Sequence, residues 1–118
     1  MGRELTRYEV LVEASAAATK LREFGSRGDW RRFTDDEVFR YAVAFEWLRL
    51  TEPLCGLISR RLIGTAAPRE WEPACEVRNL LAHERDQDIN YTRLWEGIHT
   101  TLGATEVRLD QLIAESES

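Results

Sequence analysis

Hydrophobic residues recur at steps of three and four along nearly the whole chain, and no stretch alternates apolar and polar residues between turn signals. An α-helix turns once every 3.6 residues, so this spacing gathers apolar side chains on one helical face, whereas strands need a period of two. Glycine and proline are scarce, at 7 and 3 residues. The pattern predicts an all-α protein: one domain over residues 1–118, folded as an up-and-down bundle of four to five helices.

The first predicted helix runs from about Arg3 to Phe24 and is broken by the polar, glycine-containing segment Gly25–Asp29. Alanines at positions 14 and 16 to 18 would let a neighbouring helix approach closely. Trp30 and Phe33 follow the break, and we expect them to fold back on the end of the bundle. The predicted inner stripe of the helix is Leu5, Tyr8, Leu11, Val12, Ala16 and Leu21.

The second predicted helix is the longest, and we expect it to lie at the centre of the bundle. Thr34 and Glu37 have the spacing of a capping box, which would start the helix, and the pattern continues to about Ile63. Pro53 lies inside it and should kink it, because proline cannot donate a backbone hydrogen bond. The predicted buried stripe is Val38, Tyr41, Phe45, Leu48, Glu52, Cys55, Ser59 and Leu62, and the apolar surface is widened by Ala42, Trp47, Leu50, Leu54 and Ile58.

Glu52 places a carboxylate in this buried stripe, next to Pro53. Burying an unpaired carboxylate costs free energy, so Glu52 should have a partner or a route to water. One interpretation is an internal ion pair with an arginine, and the other is a carboxylate that lines a cleft. Both hold if the partner is Arg78.

Two further helices complete the prediction. The third runs from about Arg69 to Ala82 and is followed by a charged loop over residues 83–89. Asn90 is a suitable N-cap for the last helix, about Tyr91 to Glu115, in which Gly103 could mark a bend or a break. The predicted stripe of this last helix is Leu94, Ile98, Leu102, Thr105, Leu109 and Leu112.

The composition is that of a soluble globular protein, with 43% hydrophobic and 31% charged residues. The chain has neither the ~20 consecutive apolar residues of a membrane span nor an N-terminal signal peptide, so we expect a cytoplasmic protein without membrane contact. The net charge of −5 argues against a general nucleic-acid coat, and any contact with RNA would have to be local. Cys55 and Cys75 lack metal-ligand spacing, which favours two reduced, partly buried thiols but is also compatible with a disulfide.

The candidate chemistry lies where the third helix ends, in the run Arg78-Asn79-Leu80-Leu81-Ala82-His83. At about 100° per residue, Asn79 and His83 share a face, whereas Arg78 and His83 lie about 140° apart. A histidine at a helix C-terminus faces the negative end of the helix dipole, which favours its protonated form and suits either an acid/base residue or a simple cap. Arg78 and His83 could act on one phosphate if the last turn frays, or if a second copy of the chain supplies the other half.

Several common chemistries are absent from the sequence. It has no glycine-rich phosphate loop, no serine nucleophile elbow and no His/Cys cluster, so we expect neither a cofactor nor a metal. The groups that remain fit metal-independent cleavage of RNA. A histidine can move a proton at the 2′-hydroxyl or at the leaving oxygen, and an arginine can hold the scissile phosphate.

An arginine, a polar residue, three further residues and a histidine at the end of a helix in a small bundle resemble the motif of the HEPN superfamily. The surroundings resemble its HepT-like branch, the toxins of HepT/MntA modules, and the resemblance covers most of the chain. Its members tend to have a glutamate where this chain has Glu52 on the central helix. Trp71 before the Arg-Asn pair and the segment over residues 88–98 are also similar to that branch.

The resemblance implies a homodimer in which two motifs face each other across a shared cleft that binds RNA. It implies that Arg78 and His83 are the catalytic pair and that Asn79 supports them, by orienting His83 or by touching phosphate. Glu52 is then a candidate carboxylate of the cleft, and Arg85 a candidate contact to an RNA phosphate.

The resemblance also implies a partner, a small nucleotidyltransferase antitoxin similar to MntA. In that family the antitoxin attaches AMP to a tyrosine two residues past the histidine. This chain has Arg85 at that position, and the nearest downstream tyrosine is Tyr91. The departure puts control by AMP transfer in question, while the cleavage motif is intact.

Three functions therefore compete. The first is an endoribonuclease toxin. The second is a non-catalytic HEPN bundle that binds a nucleotidyltransferase, which the acidic charge and the missing tyrosine favour. The third is a structural helical module in which His83 merely caps a helix.

Overall fold

The computed structural model describes residues 6–59 and 72–117, which form helices and no strand. The six α-helices of these residues are α1 (Arg7–Arg27), α2 (Trp30–Asp35), α3 (Glu37–Ser59), α4 (Glu72–His83), α5 (Tyr91–Thr100) and α6 (Leu102–Glu117), with a single 3₁₀ turn at Asp86–Asp88. The all-α prediction is confirmed. The described part holds more than four or five helices, because the connection after the first helix is itself helical and the predicted last helix is two.

The start of α3 differs from the predicted capping box. Thr34 lies inside α2, where its hydroxyl donates to the carbonyl oxygen of Arg31 at 2.9 Å. Asp36 caps α3 instead, accepting a hydrogen bond from the Phe39 backbone N–H at 3.1 Å. The prediction was wrong because Asp29 caps a short preceding helix, which takes up Thr34.

Aromatic rings form the centre of the core at the end of the bundle where α1 and α3 meet α2. Phe33 is completely buried and stacks on Trp95, with ring centroids 4.9 Å apart. Phe39 packs edge-on against both Phe24 and Trp95. Gly28 makes this packing possible, since a Cβ at that position would lie 2.5 Å from the Phe39 ring. The expectation that both aromatics fold back on the bundle is confirmed for Phe33, whereas Trp30 is 45% exposed.

Small residues let α1 lie close to the rest of the bundle, as expected. Ala14, Ala17 and Ala18 are completely buried, whereas Tyr8, Val12 and Ala16 are exposed and do not belong to the inner stripe. The helix also passes through Gly25 and ends at Arg27. The buried residues of α1 are Leu11, Ala14, Ala17, Ala18 and Leu21.

The buried face of α3 is not the predicted one. Val38 and Phe45 are 79% and 58% exposed, so the predicted stripe faces solvent. Trp47 turns inward instead, and its indole Nε1 donates to the carbonyl oxygen of Leu94 at 3.0 Å. Gly97 leaves room for the indole, because a Cβ there would lie 3.0 Å from the ring. The buried residues of α3 are Phe39, Val43, Glu46, Trp47, Leu50, Thr51 and Leu54.

The predicted last helix is broken at Thr101, two residues before Gly103, and the two parts pack on different neighbours. Helix α5 lies on α3 and α6 lies on α1. Asn90 caps α5 as predicted, accepting from the Arg93 N–H at 3.2 Å. The predicted stripe is confirmed at its five leucine and isoleucine positions, which are all buried: Leu94, Ile98, Leu102, Leu109 and Leu112.

Some predictions fall outside the described ranges, namely those on Leu5, on residues 60–63, on the helix start at Arg69 and on Trp71. Pro53 lies within α3, which continues to Ser59. Within residues 6–59 and 72–117, no helix is long and apolar enough to cross a membrane.

Candidate functional site

Helix α4 carries the predicted site and lies on the surface of the bundle, against α3. Among its described side chains Ala74 is buried, and Val77 and Leu81 are partly buried against the core. Ala74 and Val77 also border a cleft of about 440 Å³ that lies between α4, α3 and α5. Trp47, Leu50, Leu54, Val77 and Leu80 give the cleft its apolar surface, and the side chains of Glu76, Asn90, Arg93, Glu96 and Thr100 are among its polar lining.

A disulfide joins α4 to α3. The bond links Cys55 and Cys75, whose Cα atoms are 4.8 Å apart. The preferred interpretation of two reduced thiols was therefore wrong, and the alternative that the sequence left open is the one observed. The reason is geometric: α3 and α4 pack side by side and bring the two residues within the usual Cα separation of a disulfide.

Arg78 lies one turn beyond the disulfide, and two neighbours hold its guanidinium. Its Nη1 donates to Oδ1 of Asn79 at 2.9 Å, and its Nη2 lies 3.9 Å from Oε1 of Glu52. The side chains of Arg78 and Glu52 are 36% and 59% exposed. The ion pair is consequently long and open to water, and such pairs contribute little to stability.

The prediction for Glu52 was partly right. Its partner is an arginine, as one interpretation proposed, and that arginine is Arg78, but the carboxylate is not in a buried register. The error follows from the rotation of α3, which buries Glu46 instead. Glu46 accepts two hydrogen bonds from Arg49, at 2.9 and 3.0 Å, and Arg49 also pairs with Glu13 on α1. The spacing of three residues between Glu46 and Arg49 was the available sequence signal for this pair.

His83 is the last residue of α4 and is exposed. The helix ends there with a hydrogen bond from the backbone N–H of Glu84 to the carbonyl oxygen of Leu80 at 3.0 Å. Asn79 lies one turn earlier, but its side-chain oxygen accepts from Arg78. In the arrangement described, Asn79 therefore orients the guanidinium and not the imidazole.

The loop after His83 is fixed by polar contacts near the start of α3. Arg85 pairs with Asp88 inside the loop, with Nε and Oδ2 3.2 Å apart, so its guanidinium is engaged there. The Tyr91 hydroxyl donates to Asp86, and the Arg40 guanidinium lies 5.3 Å from the centre of the Tyr91 ring. Burial raises the pKa of Tyr91, and the hydrogen bond to Asp86 raises that pKa further.

The structure thus gathers Arg78, Asn79 and Glu52 and leaves His83 and Arg85 apart from them. Arg78 reaches back toward α3, while His83 ends the helix in solvent. Their separation of about 140° around α4 explains this difference. A single chain therefore presents the Arg78 guanidinium and the His83 imidazole in two directions.

Comparisons with known proteins add no relative: no family model, no curated protein and no solved structure matches this chain. The resemblance to the HEPN superfamily thus stays a prediction based on the motif residues.

Because Glu46 is buried and Glu52 is exposed, we expect replacing them to lower stability by different amounts. Replacing Glu52 with glutamine should lower the free energy of unfolding by no more than about 1 kcal/mol, because the pair is exposed. Replacing Glu46 with glutamine should cost about 1.5–3 kcal/mol, because Arg49 loses a charged hydrogen-bond partner in a half-buried setting. Urea titrations of both oxidised variants measure the difference. Equal losses would contradict the assigned rotation of α3.

The raised pKa of Tyr91 makes its contribution depend on pH. The folded protein holds the tyrosine in its neutral form, so this contribution is complete below the unfolded pKa of about 10 and is lost as pH rises above it. At pH 8, Tyr91→Phe should be less stable than wild type by about 1 kcal/mol, the value of the lost hydrogen bond. That gap should shrink or reverse by about pH 11, as urea titrations at both pH values would show. An identical gap would rule out the linkage.

Proposed function

We propose that this protein is a metal-independent endoribonuclease, the toxin of a HEPN/nucleotidyltransferase module, which cuts RNA through attack by the 2′-hydroxyl. The observation that carries the proposal is the state of Arg78. Its guanidinium is solvent-accessible, oriented by Asn79 and held by Glu52 through a long contact only. A phosphate can replace Glu52 at little cost, because exposed ion pairs of this kind are weak.

The chemistry assigns one role to each group. His83 transfers the proton, either from the 2′-hydroxyl or to the leaving 5′-oxygen. Arg78 binds the scissile phosphate and stabilises the negative charge that develops on it. The products are a 2′,3′-cyclic phosphate and a 5′-hydroxyl, because the internal nucleophile remains bonded to phosphorus.

A homodimer belongs to this proposal, since Arg78 and His83 point in different directions on one helix. The exposed apolar face of α3 supports it. Val38, Tyr41 and Phe45 are exposed at steps of three and four, and Glu52 continues the same face two turns later. We call these four residues the outer face of α3. A second copy that covers this face would bring its own α4 close to the Arg78 guanidinium.

The proposed partner is a nucleotidyltransferase antitoxin in the cytoplasm. Arg85 occupies the position of the modified tyrosine in the family that the chain resembles. Tyr91 is a poor substitute, because it is half-buried and its hydroxyl is bonded to Asp86. We therefore favour an antitoxin that inhibits by binding over one that transfers AMP to Tyr91.

The alternative is a non-catalytic HEPN bundle that binds a nucleotidyltransferase. Two observations favour it: the imidazole of His83 is exposed and separate from Arg78, and the outer face of α3 offers an apolar surface to another protein. The two functions differ in one measurable property, cleavage of RNA.

The cleavage proposal predicts a graded series of variants. His83→Ala should lose ~10²–10⁴ in rate, the usual cost of a missing acid/base residue, and Arg78→Ala should fall similarly. Asn79→Ala should be milder, because Arg78 keeps its charge and loses only an orienting bond. The assay is purified protein with cellular RNA in EDTA, followed by mapping of both ends. Activity that survives in His83→Ala, or products with 5′-phosphates, would favour the alternative.

The dimer has its own test. Sedimentation at micromolar concentration should show twice the 13.7 kDa chain mass. Phe45→Glu should give monomers, because a charge placed in an apolar interface must be desolvated. Val107→Glu, at an exposed position of α6, should remain dimeric. A wild-type protein that is monomeric throughout this range contradicts the prediction.

Mixing inactive chains tests whether the site is shared. If Arg78 of one chain works with His83 of the other, a mixture of Arg78→Ala and His83→Ala chains should regain part of the activity. A mixed dimer then contains one intact pair across the interface. A mixture as inactive as its components would show that both residues must come from one chain.

A further inference from the structure

Among the described side chains, helix α4 buries fewer large apolar residues than the helix that follows it. Its described side chains bury Ala74 and cover Val77 and Leu81 partly, whereas the shorter α5 buries Leu94 and two further large residues. A cleft of about 440 Å³ runs along one edge of α4. Segments with few buried apolar contacts open most readily. The helix that carries Arg78 and His83 therefore depends strongly on its attachment to α3.

The disulfide adds one covalent bond to the contacts between α4 and α3. Cys55 lies in α3 and Cys75 in α4, 20 positions apart, so the bond closes a covalent ring around the connection between the helices. Arg78 follows Cys75 by three residues and Glu52 precedes Cys55 by three, and this puts the ion pair next to the bond. Both cysteine residues are partly exposed.

We propose that Cys55 and Cys75 form a thiol–disulfide switch that sets the position of α4, with the oxidised form as the one competent for RNA cleavage. The cleavage part rests on the proposed function. In the proposed cytoplasmic location thiols are normally kept reduced, and disulfides that form there are commonly redox-sensing. Oxidation fastens α4 and keeps the Arg78 guanidinium beside the outer face of α3. Reduction removes the covalent link, and α4 then depends on non-covalent contacts, which in the described part of the helix include Ala74, Val77, Leu81 and the weak ion pair.

The switch operates by thiol–disulfide exchange with a low-molecular-weight disulfide such as oxidised glutathione. One cysteine thiolate attacks a sulfur of oxidised glutathione, a mixed disulfide forms, and one glutathione thiolate leaves. The second cysteine thiolate attacks the sulfur of the first cysteine, so the Cys55–Cys75 bond forms and the second glutathione thiolate leaves. The protein loses two electrons and two protons, and oxidised glutathione gains them to become two molecules of reduced glutathione. An excess of reduced glutathione drives the same steps backwards.

Hydrogen exchange measured by mass spectrometry tests the structural part. Three samples are compared: the oxidised protein, the reduced protein with its thiols blocked by N-ethylmaleimide, and the Cys55→Ser/Cys75→Ser double variant. Amides of α4 should exchange roughly 10-fold faster or more in the last two samples. This change is smaller than the full stabilisation that a disulfide usually provides. Amides of α5 are the internal reference and should not change. Equal exchange of α4 in the oxidised and reduced wild type overturns the switch, even if the double variant fails to fold.

RNA cleavage in EDTA, measured on the same samples, tests the functional part. The oxidised protein should cut about 10-fold faster or more than both disulfide-free forms, because a displaced binding group costs rate steeply. Reductant added to the double variant should have no effect, which controls for direct action on the RNA. Faster exchange with equal cleavage rates would overturn the regulation. Faster exchange without cleavage in any sample would support the switch and refute the proposed nuclease.

Discussion

Burial of one face of α3 is the constraint on which the rest of the structure depends. Helices α1, α2, α4 and α5 all pack against α3, and the indole of Trp47 fixes the rotation of the helix by donating to the Leu94 carbonyl on α5. A buried indole N–H without a partner would be costly, so this bond admits few other rotations. The same rotation decides which glutamate is buried and which apolar residues face solvent.

The buried face of a helix could be predicted from the sequence only where the helix has a single narrow apolar stripe. The stripe of α5 and α6 has a polar opposite face, so its phase is determined by the sequence and was predicted correctly. Helix α3 is apolar on two faces. One contains Phe45 and the other Trp47, and both fit a spacing of three and four residues equally well. The choice between the faces came from contacts with Leu94 and Gly97, which are distant in sequence. Periodicity within α3 does not contain that information.

The candidate site shows the same division. The sequence predicted an arginine partner or a route to water for Glu52, because an unpaired buried carboxylate is costly, and the structure pairs it with Arg78. It did not predict that the pair is exposed, because exposure depends on the rotation. The disulfide could not be chosen from spacing either, since a separation of 20 positions permits contact without requiring it. The sequence therefore predicted the kind of contact at the site, but not how far the contact is exposed to solvent.

The packing of α6 on α1 has a consequence for synthesis of the chain. The two helices lie at opposite ends of the described sequence and are joined by an ion pair between Arg22 and Glu106. Contacts of such long sequence separation form late, because most of the chain must first be ordered. As the ribosome makes the N-terminal part first, α1 lacks this neighbour until α6 has emerged. The bundle therefore closes only after α6 has been synthesised, and until then the apolar side of α1 that meets α6 is available to chaperones.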